Sequence, residues 1–169
     1  FWNVLINKKD KFIEELKKFE ITPDEFTYNR HVLLNYWEKI KPKDLEYNTK
    51  KKIELAEEDL TILDNDNVKQ AVYYYYNMTL SYGPMFLGWP SSNEIKPDKF
   101  KRRIKKLKEM TLKNISVRCD DFENVIPRHN NDFLFLDPPY YLEGDSKMFK
   151  GLSPNCNFAI HHNNFNHKK

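Results

Sequence analysis

Four consecutive residues carry the sharpest chemical signal in the sequence: Asp137-Pro138-Pro139-Tyr140, directly after the apolar run Phe133-Leu134-Phe135-Leu136. Two prolines in succession fix φ and remove two backbone donors, so the carbonyls there stand as rigid acceptors. With the Asp137 carboxylate beside them and the Tyr140 ring as a wall, they form a cup of acceptors. Such a cup suits a planar group bearing an exocyclic amine, of which adenine is an example. An amine conjugated to a ring is a weak nucleophile because its lone pair is delocalised. Accepting both of its hydrogens lets the nitrogen become tetrahedral as a new bond forms. The carboxylate also stabilises the positive charge that develops there, which is electrostatic catalysis. The plainer alternative is a strand ending in a proline-stiffened turn with a capping Asp; the apolar run before it and Tyr140 after it favour the cup.

Cations form the second signal. Seven of the ten residues from 99 to 108 are Lys or Arg, enough to make a helix there basic on every face but one. Lys99, Lys101, Arg102, Arg103 and Lys105 are placed to track the phosphates of a nucleic acid, with Phe100, Ile104 and Leu107 packed beneath. A solvated, lysine-rich face is the competing reading. The run Tyr73-Tyr74-Tyr75-Tyr76 could stack on bases or offer hydroxyls to phosphates. Consecutive helical residues cannot all face one way, so at least two of the four are expected in the core. His161, His162 and His167 lack a cysteine or carboxylate to complete a ligand set, and no metal is expected.

Elements must position these groups. Val4, Leu5, Phe12, Ile13, Leu16 and Phe19 recur at helical spacing near the start. Thr22-Pro23-Asp24-Glu25 reads as an N-cap, a first-turn proline and two favourable acids, opening a helix that runs to about Pro42. Further helical blocks are expected over residues 53–64, 67–82 and 99–110. The loop between the last two carries Pro84, Gly88, Pro90 and Pro97, which break regular structure. Residues 115–119 and 133–136 read as two short strands, with a short helix over 121–125 between them. Strand, helix, strand is the grammar of a parallel sheet, and an acid at a strand's carboxyl end is where such sheets place ligands. The expected class is therefore α/β, a sheet domain carrying a helical insertion.

Composition closes off other classes. A chain of 169 residues holds one domain, or one with a small appendage. Its 12 Phe, 10 Tyr and 3 Trp suffice to close a core, which excludes wholesale disorder. No window approaches the roughly 18 apolar residues of a membrane span. No leader is visible after Phe1, and Cys119 and Cys156 are too few for a disulfide scaffold, so a reducing, cytoplasmic setting is expected. Only Gly83, Gly88, Gly144 and Gly151 are present, so the chain holds no glycine-rich phosphate loop. The net charge of +3 says little by itself, since the basic residues are grouped.

The run Phe133-Leu134-Phe135-Leu136-Asp137-Pro138-Pro139-Tyr140 resembles motif IV of DNA adenine N6-methyltransferases. Asp121-Phe122 resembles the pattern that precedes that motif in the Dam-type, D12 class. The stretch from Gly144 to Gly151, with Lys147 and Phe149, is similar to the flexible loop that follows it, as is Asn157-Phe158 with His161-His162 beyond. Phe1-Trp2-Asn3-Val4-Leu5 is similar to the helix these enzymes place after their second strand. Phe86-Leu87-Gly88-Trp89 and Lys147-Met148-Phe149 look most like the branch that modifies CATG sites.

The resemblance implies a partial Rossmann-like methyltransferase sheet with an inserted helical target-recognition domain. Residues 1–20 would be a helix of the catalytic domain, 21–98 the insertion, and 99–169 the catalytic segment. It implies S-adenosylmethionine as cofactor, with Asp121 accepting from its adenine amine, Phe122 beside the ring and Asp137 at the reacting end. Asp121 also fits a helix N-cap and Phe122 a core position. Asp137, Pro138, Pro139 and Tyr140 would be catalytic; the cations at 99–105, with Lys147 and Phe149, would contact double-stranded DNA. A cognate restriction endonuclease and a bacterial, phage or viral setting follow from the same likeness. The family's glycine-rich donor loop and ribose-binding acid do not occur in the chain, and a Tyr common near Leu152-Ser153 is missing. The chain is thus expected to be an internal fragment. The alternative function is a catalytically dead copy that only binds DNA.

Overall fold

A computed structural model describes residues 1–40 and 53–136. It separates into two compact units, residues 1–118 and 119–169. Asp137, Pro138, Pro139, Tyr140, Lys147, Phe149 and the three histidines lie outside the described residues.

The first unit is helical. Helix α1 (Trp2–Asn7) and α2 (Lys9–Leu16) split the expected first helix at Lys8, whose φ of −137° breaks the helical run. Helix α3 (Pro23–Ile40) begins where the capping signal placed it, and the Thr22 hydroxyl accepts the Glu25 N–H at 3.1 Å. Helix α4 (Asn67–Leu80) is capped by Asp66, whose carboxylate accepts from Val68 and Lys69. Helix α5 (Pro97–Glu109) has its proline in the first turn, where the missing N–H costs nothing.

Helix α4 packs on α1, α2 and α3, and α5 packs on α2. One core cluster joins Leu5, Phe12, Leu16, Phe26, Val72, Tyr76, Leu80, Phe100 and Leu107; a second gathers Val32, Leu33, Leu63, Tyr73 and Leu87. The tyrosine run is therefore built into the fold. Tyr73 and Tyr76 are buried, and Tyr74 and Tyr75 take Phe1 as ring neighbour. The Tyr76 hydroxyl donates to the Glu20 carbonyl at 2.7 Å. Burial holds both buried phenols in the neutral form, pushing Tyr73 up to about 12 and Tyr76 further in the same direction.

Two expectations fail. The helix expected over residues 53–64 is only a 3-10 turn, Glu57–Leu60. The local acids have tertiary partners that hold the segment in another shape. Asp59 accepts the Tyr28 hydroxyl at 2.6 Å, the Leu60 carbonyl is bound by Lys39 and by Asn35 at 3.2 Å, and Ala56 N–H donates to the Tyr28 oxygen.

The α/β class, with its partial Rossmann-like sheet, is also overturned. Among the described residues there is no strand, and the sole bridge is an isolated antiparallel pair between Ser81 and Pro90. Residues 115–119 and 133–136 form no ladder, and Phe133, Phe135 and Leu136 are 94%, 85% and 59% exposed. Strand propensity measures fit to a pleated, half-buried surface. Without a partner, an apolar run neither bonds its backbone nor buries its side chains. The strand-end argument for Asp137 falls with the sheet. In the second unit, helix α6 (Phe122–Val125) and a 3-10 turn (Ile126–His129) are the regular elements described.

Candidate nucleic-acid interface

The cations of α5 divide into two groups. Arg103 and Lys99 both bind the Glu94 carboxylate, Lys99 at 3.1 Å, and Arg103 also donates to the Thr79 carbonyl at 2.9 Å. The two hydrogen bonds, Arg103 first, hold the Glu94 carboxyl below its ordinary range. Arg103 thereby fastens α5 to the end of α4, and Lys99 shares its Glu94 partner in the loop between them. Lys101, Arg102 and Lys105 point to solvent instead. Arg102 Nε makes a 3.4 Å contact with its own helix at the Asp98 carbonyl, and Lys105 lies 3.8 Å from Glu109, an exposed pair of small energetic weight. Phe100 and Leu107 are buried and Ile104 packs against the same cluster, so the apolar stripe fixes which cations face outward. At the far end Lys9 donates to the Lys108 and Met110 carbonyls at 2.6 and 2.8 Å, satisfying orphan acceptors of the last turn.

The loop from α4 to α5 adds groups that sequence reasoning missed. Tyr82 N–H donates to the Trp89 carbonyl at 2.9 Å, and Ser91 N–H to Leu80 at 3.0 Å, closing a tight neck. Tyr82 and Trp89 flank that neck at 76% and 65% exposure. Arg30 of α3 is buried beneath: its Nε donates to the Leu87 carbonyl at 2.8 Å and lies 3.2 Å from that of Gly88. Its guanidinium carbon sits 4.9 Å from the Trp89 ring centre, a cation–π contact. A tryptophan beside Gly88 and Pro90, just ahead of a basic helix, was the available signal. An arginine within α3 gave none, because its partners lie in a distant loop.

In the second unit, Asp121 caps α6, its carboxylate accepting the Glu123 N–H at 2.9 Å. Phe122 is 42% exposed and so does not occupy the core position that was its alternative. A carboxylate with a second oxygen to offer and an exposed ring next to it suit the amine and face of an aminopurine. Asp120 accepts from Arg128 at 3.5 Å, and His129 pairs with Asp132 at 2.7 Å, bracing the same short segment.

Among the described residues no helix is long and apolar enough to cross a membrane. Outward cations, exposed aromatic rings and an acceptor–ring pair are groups that meet a polyanion and a purine. Comparison with known proteins gives the same class. No curated protein and no solved structure matches the chain. The family model of D12 class N6 adenine-specific DNA methyltransferase matches residues 1–168, including the Asp137-Pro138-Pro139-Tyr140 motif. The chain belongs to the D12 class N6 adenine-specific DNA methyltransferase family.

Proposed function

We propose that the protein methylates the N6 amine of adenine in double-stranded DNA, with S-adenosylmethionine as donor. The observation that carries the reading is the family match across residues 1–168, which spans the Asp137-Pro138-Pro139-Tyr140 motif. When bound, the donor supplies an electrophilic methyl group. Asp121 would hold the donor through its adenine amine and Phe122 through its ring face, and Asp137 would serve the reacting end. The target adenine is turned out of the duplex, because its amine cannot be reached within the stack. Asp137 and the Pro138 carbonyl accept the two amine hydrogens, Pro139 stiffens the turn, and Tyr140 stacks on the base. The nitrogen lone pair is thereby freed, and Asp137 stabilises the charge that grows on it. The helices within residues 21–98 serve target recognition. Lys101, Arg102 and Lys105 bind phosphates, and Lys147 and Phe149 contact the DNA beside the cup. The likeness to the CATG branch makes CATG the site to test first, in a restriction–modification setting with a cognate endonuclease.

The test is Asp137→Ala in the protein, assayed by methyl incorporation into a CATG duplex. Turnover should fall by about 3 kcal/mol or more in transition-state terms, the scale of losing one preorganised acceptor. Duplex binding and the unfolding midpoint should hold, because Asp137 acts on charge present only during transfer. Near-normal turnover in the variant would remove Asp137 from the chemistry. Duplex binding without incorporation by the unsubstituted protein would favour the DNA-binding module.

A further inference from the structure

Helix α5 carries more cations than it leaves available. Lys99 and Arg103 stand four residues apart and share one row of the helix surface. Arg102 lies three residues from Lys99 and Lys106 three from Arg103, so this row adjoins two exposed cations. The row borders the outward face and is not covered by the fold. The Lys99 and Arg103 side chains keep 37% and 30% exposure, enough for a ligand to reach them.

One carboxylate occupies both. Glu94 Oε1 accepts from Lys99 at 3.1 Å and Oε2 accepts from Arg103, so each oxygen holds a single cation. Charged oxygens of this kind are what a DNA phosphate offers, and Arg and Lys donate to carboxylate and phosphate alike. The loop fixes the carboxylate in place. The Ser91 carbonyl accepts the N–H groups of Glu94 and Ile95 at 2.9 and 2.8 Å, and Ile95 packs on the core. Arg103 is held from its other side, where Nη1 donates to the Thr79 carbonyl at 2.9 Å. Partly exposed ion pairs contribute modestly to stability. A phosphate contact, in contrast, changes DNA affinity several-fold and sets its dependence on salt. The larger consequence of the Glu94 pairs is therefore for binding.

We propose that Glu94 is an internal stand-in for a DNA phosphate, withholding Lys99 and Arg103 from the duplex so that α5 grips the backbone less tightly than its cations allow. The proposal rests on the DNA-methylating reading above and adds a restraint on how strongly α5 binds. An enzyme that must leave each site after transfer gains from such a restraint, since every further phosphate contact strengthens binding at all sequences alike.

The experiment titrates a fluorescein-labelled duplex carrying CATG over a salt series, with the full chain and its variants. Circular dichroism at the titration temperature checks that each variant is folded. Glu94→Gln should bind more tightly than the parent at low salt. Between about 50 and about 200 mM salt its affinity should fall by up to about tenfold more than the parent's, nearly two further units of slope. Asp98→Asn removes one negative charge from the first turn of α5 while leaving the Glu94 pairs intact, and its slope should stay close to the parent's. Lys99→Gln should flatten the slope less than Lys101→Gln does in the parent, yet by about one unit in the Glu94→Gln background. A Glu94→Gln chain that binds no more tightly than the parent, with no steeper slope, would overturn the restraint. Equal steepening by Asp98→Asn would do so too, because it assigns the gain to net charge. Equal flattening by Lys99→Gln and Lys101→Gln in the parent would show Lys99 already on a phosphate; this comparison decides the matter even if Glu94→Gln folds poorly. All three outcomes leave the DNA reading standing, whereas failure of the parent to bind the duplex would overturn both.

Discussion

Tyr73, Tyr74, Tyr75 and Tyr76 on one side of the end of α4, and Tyr82 with Trp89 on the other, make opposite uses of the same chemistry. The first set is conspicuous in the sequence and is consumed by the fold. Tyr73 meets Phe19, Tyr74 meets Phe1 and Phe86, Tyr75 meets Phe1 and Phe12, and Tyr76 meets Phe19, Phe26 and Phe100. The second set is scattered in sequence and faces solvent. Successive helical residues are spread around the axis, and α4 has neighbours on α1, α2 and α3 to receive them. At the loop neck, backbone pairing uses the inward groups and leaves the side chains outside. Density of aromatic residues is thus no guide to which ones remain available to a ligand. Helix α5 repeats the division, with Lys99 and Arg103 employed inside the fold and Lys101, Arg102 and Lys105 left outside.

Tyr76→Ala is the largest blow to the buried side of this comparison. It removes a fully buried ring from a cluster shared by several helices, so stability should fall by about 3–5 kcal/mol. Urea unfolding followed by circular dichroism measures this. A loss under about 1 kcal/mol would mean the core closes without it, and the contrast with Tyr82 and Trp89 would dissolve.

Glu94→Gln tests the anchored half of α5. Arg103 and Lys99 lower the Glu94 carboxyl in the folded state, so its contribution is present above the ordinary glutamate value of 4.5 and lost as pH falls through the lowered one. The variant should melt below the parent at neutral pH. The gap should narrow once the pH drops under 4.5 and vanish in stronger acid, where both chains carry a neutral side chain. A gap that is constant from neutral to acid pH would assign the effect to shape and not to charge.

The smallest change in stability belongs to the outward half. Replacing Lys101, Arg102 and Lys105 together by Gln should move the unfolding free energy by no more than about 0.5 kcal/mol per residue, as for ordinary surface positions. DNA affinity should nevertheless drop for every sequence, its salt slope flattening by up to about one unit for each phosphate left without its cation. An unchanged slope would return α5 to a merely solvated face.

Local grammar determined a good deal. Thr22 and Pro23 start α3, Asn67 lies at the start of α4, and the Phe100, Ile104, Leu107 stripe orients α5; each depends on residues within a few positions. The Asp137-Pro138-Pro139-Tyr140 motif was enough to point to the family, because the chemistry of an acceptor cup is written in four adjacent residues. The exposure of Tyr82 and Trp89 and the sorting of cations were decided only by tertiary structure. Arg30 reaches Leu87 across 57 positions, and Tyr76 reaches Glu20 across 56. No window of sequence contains such pairs. The same limit explains the missing strands: residues 115–119 and 133–136 have the composition of strands, but a strand exists only where a second chain segment supplies its hydrogen bonds and covers its face.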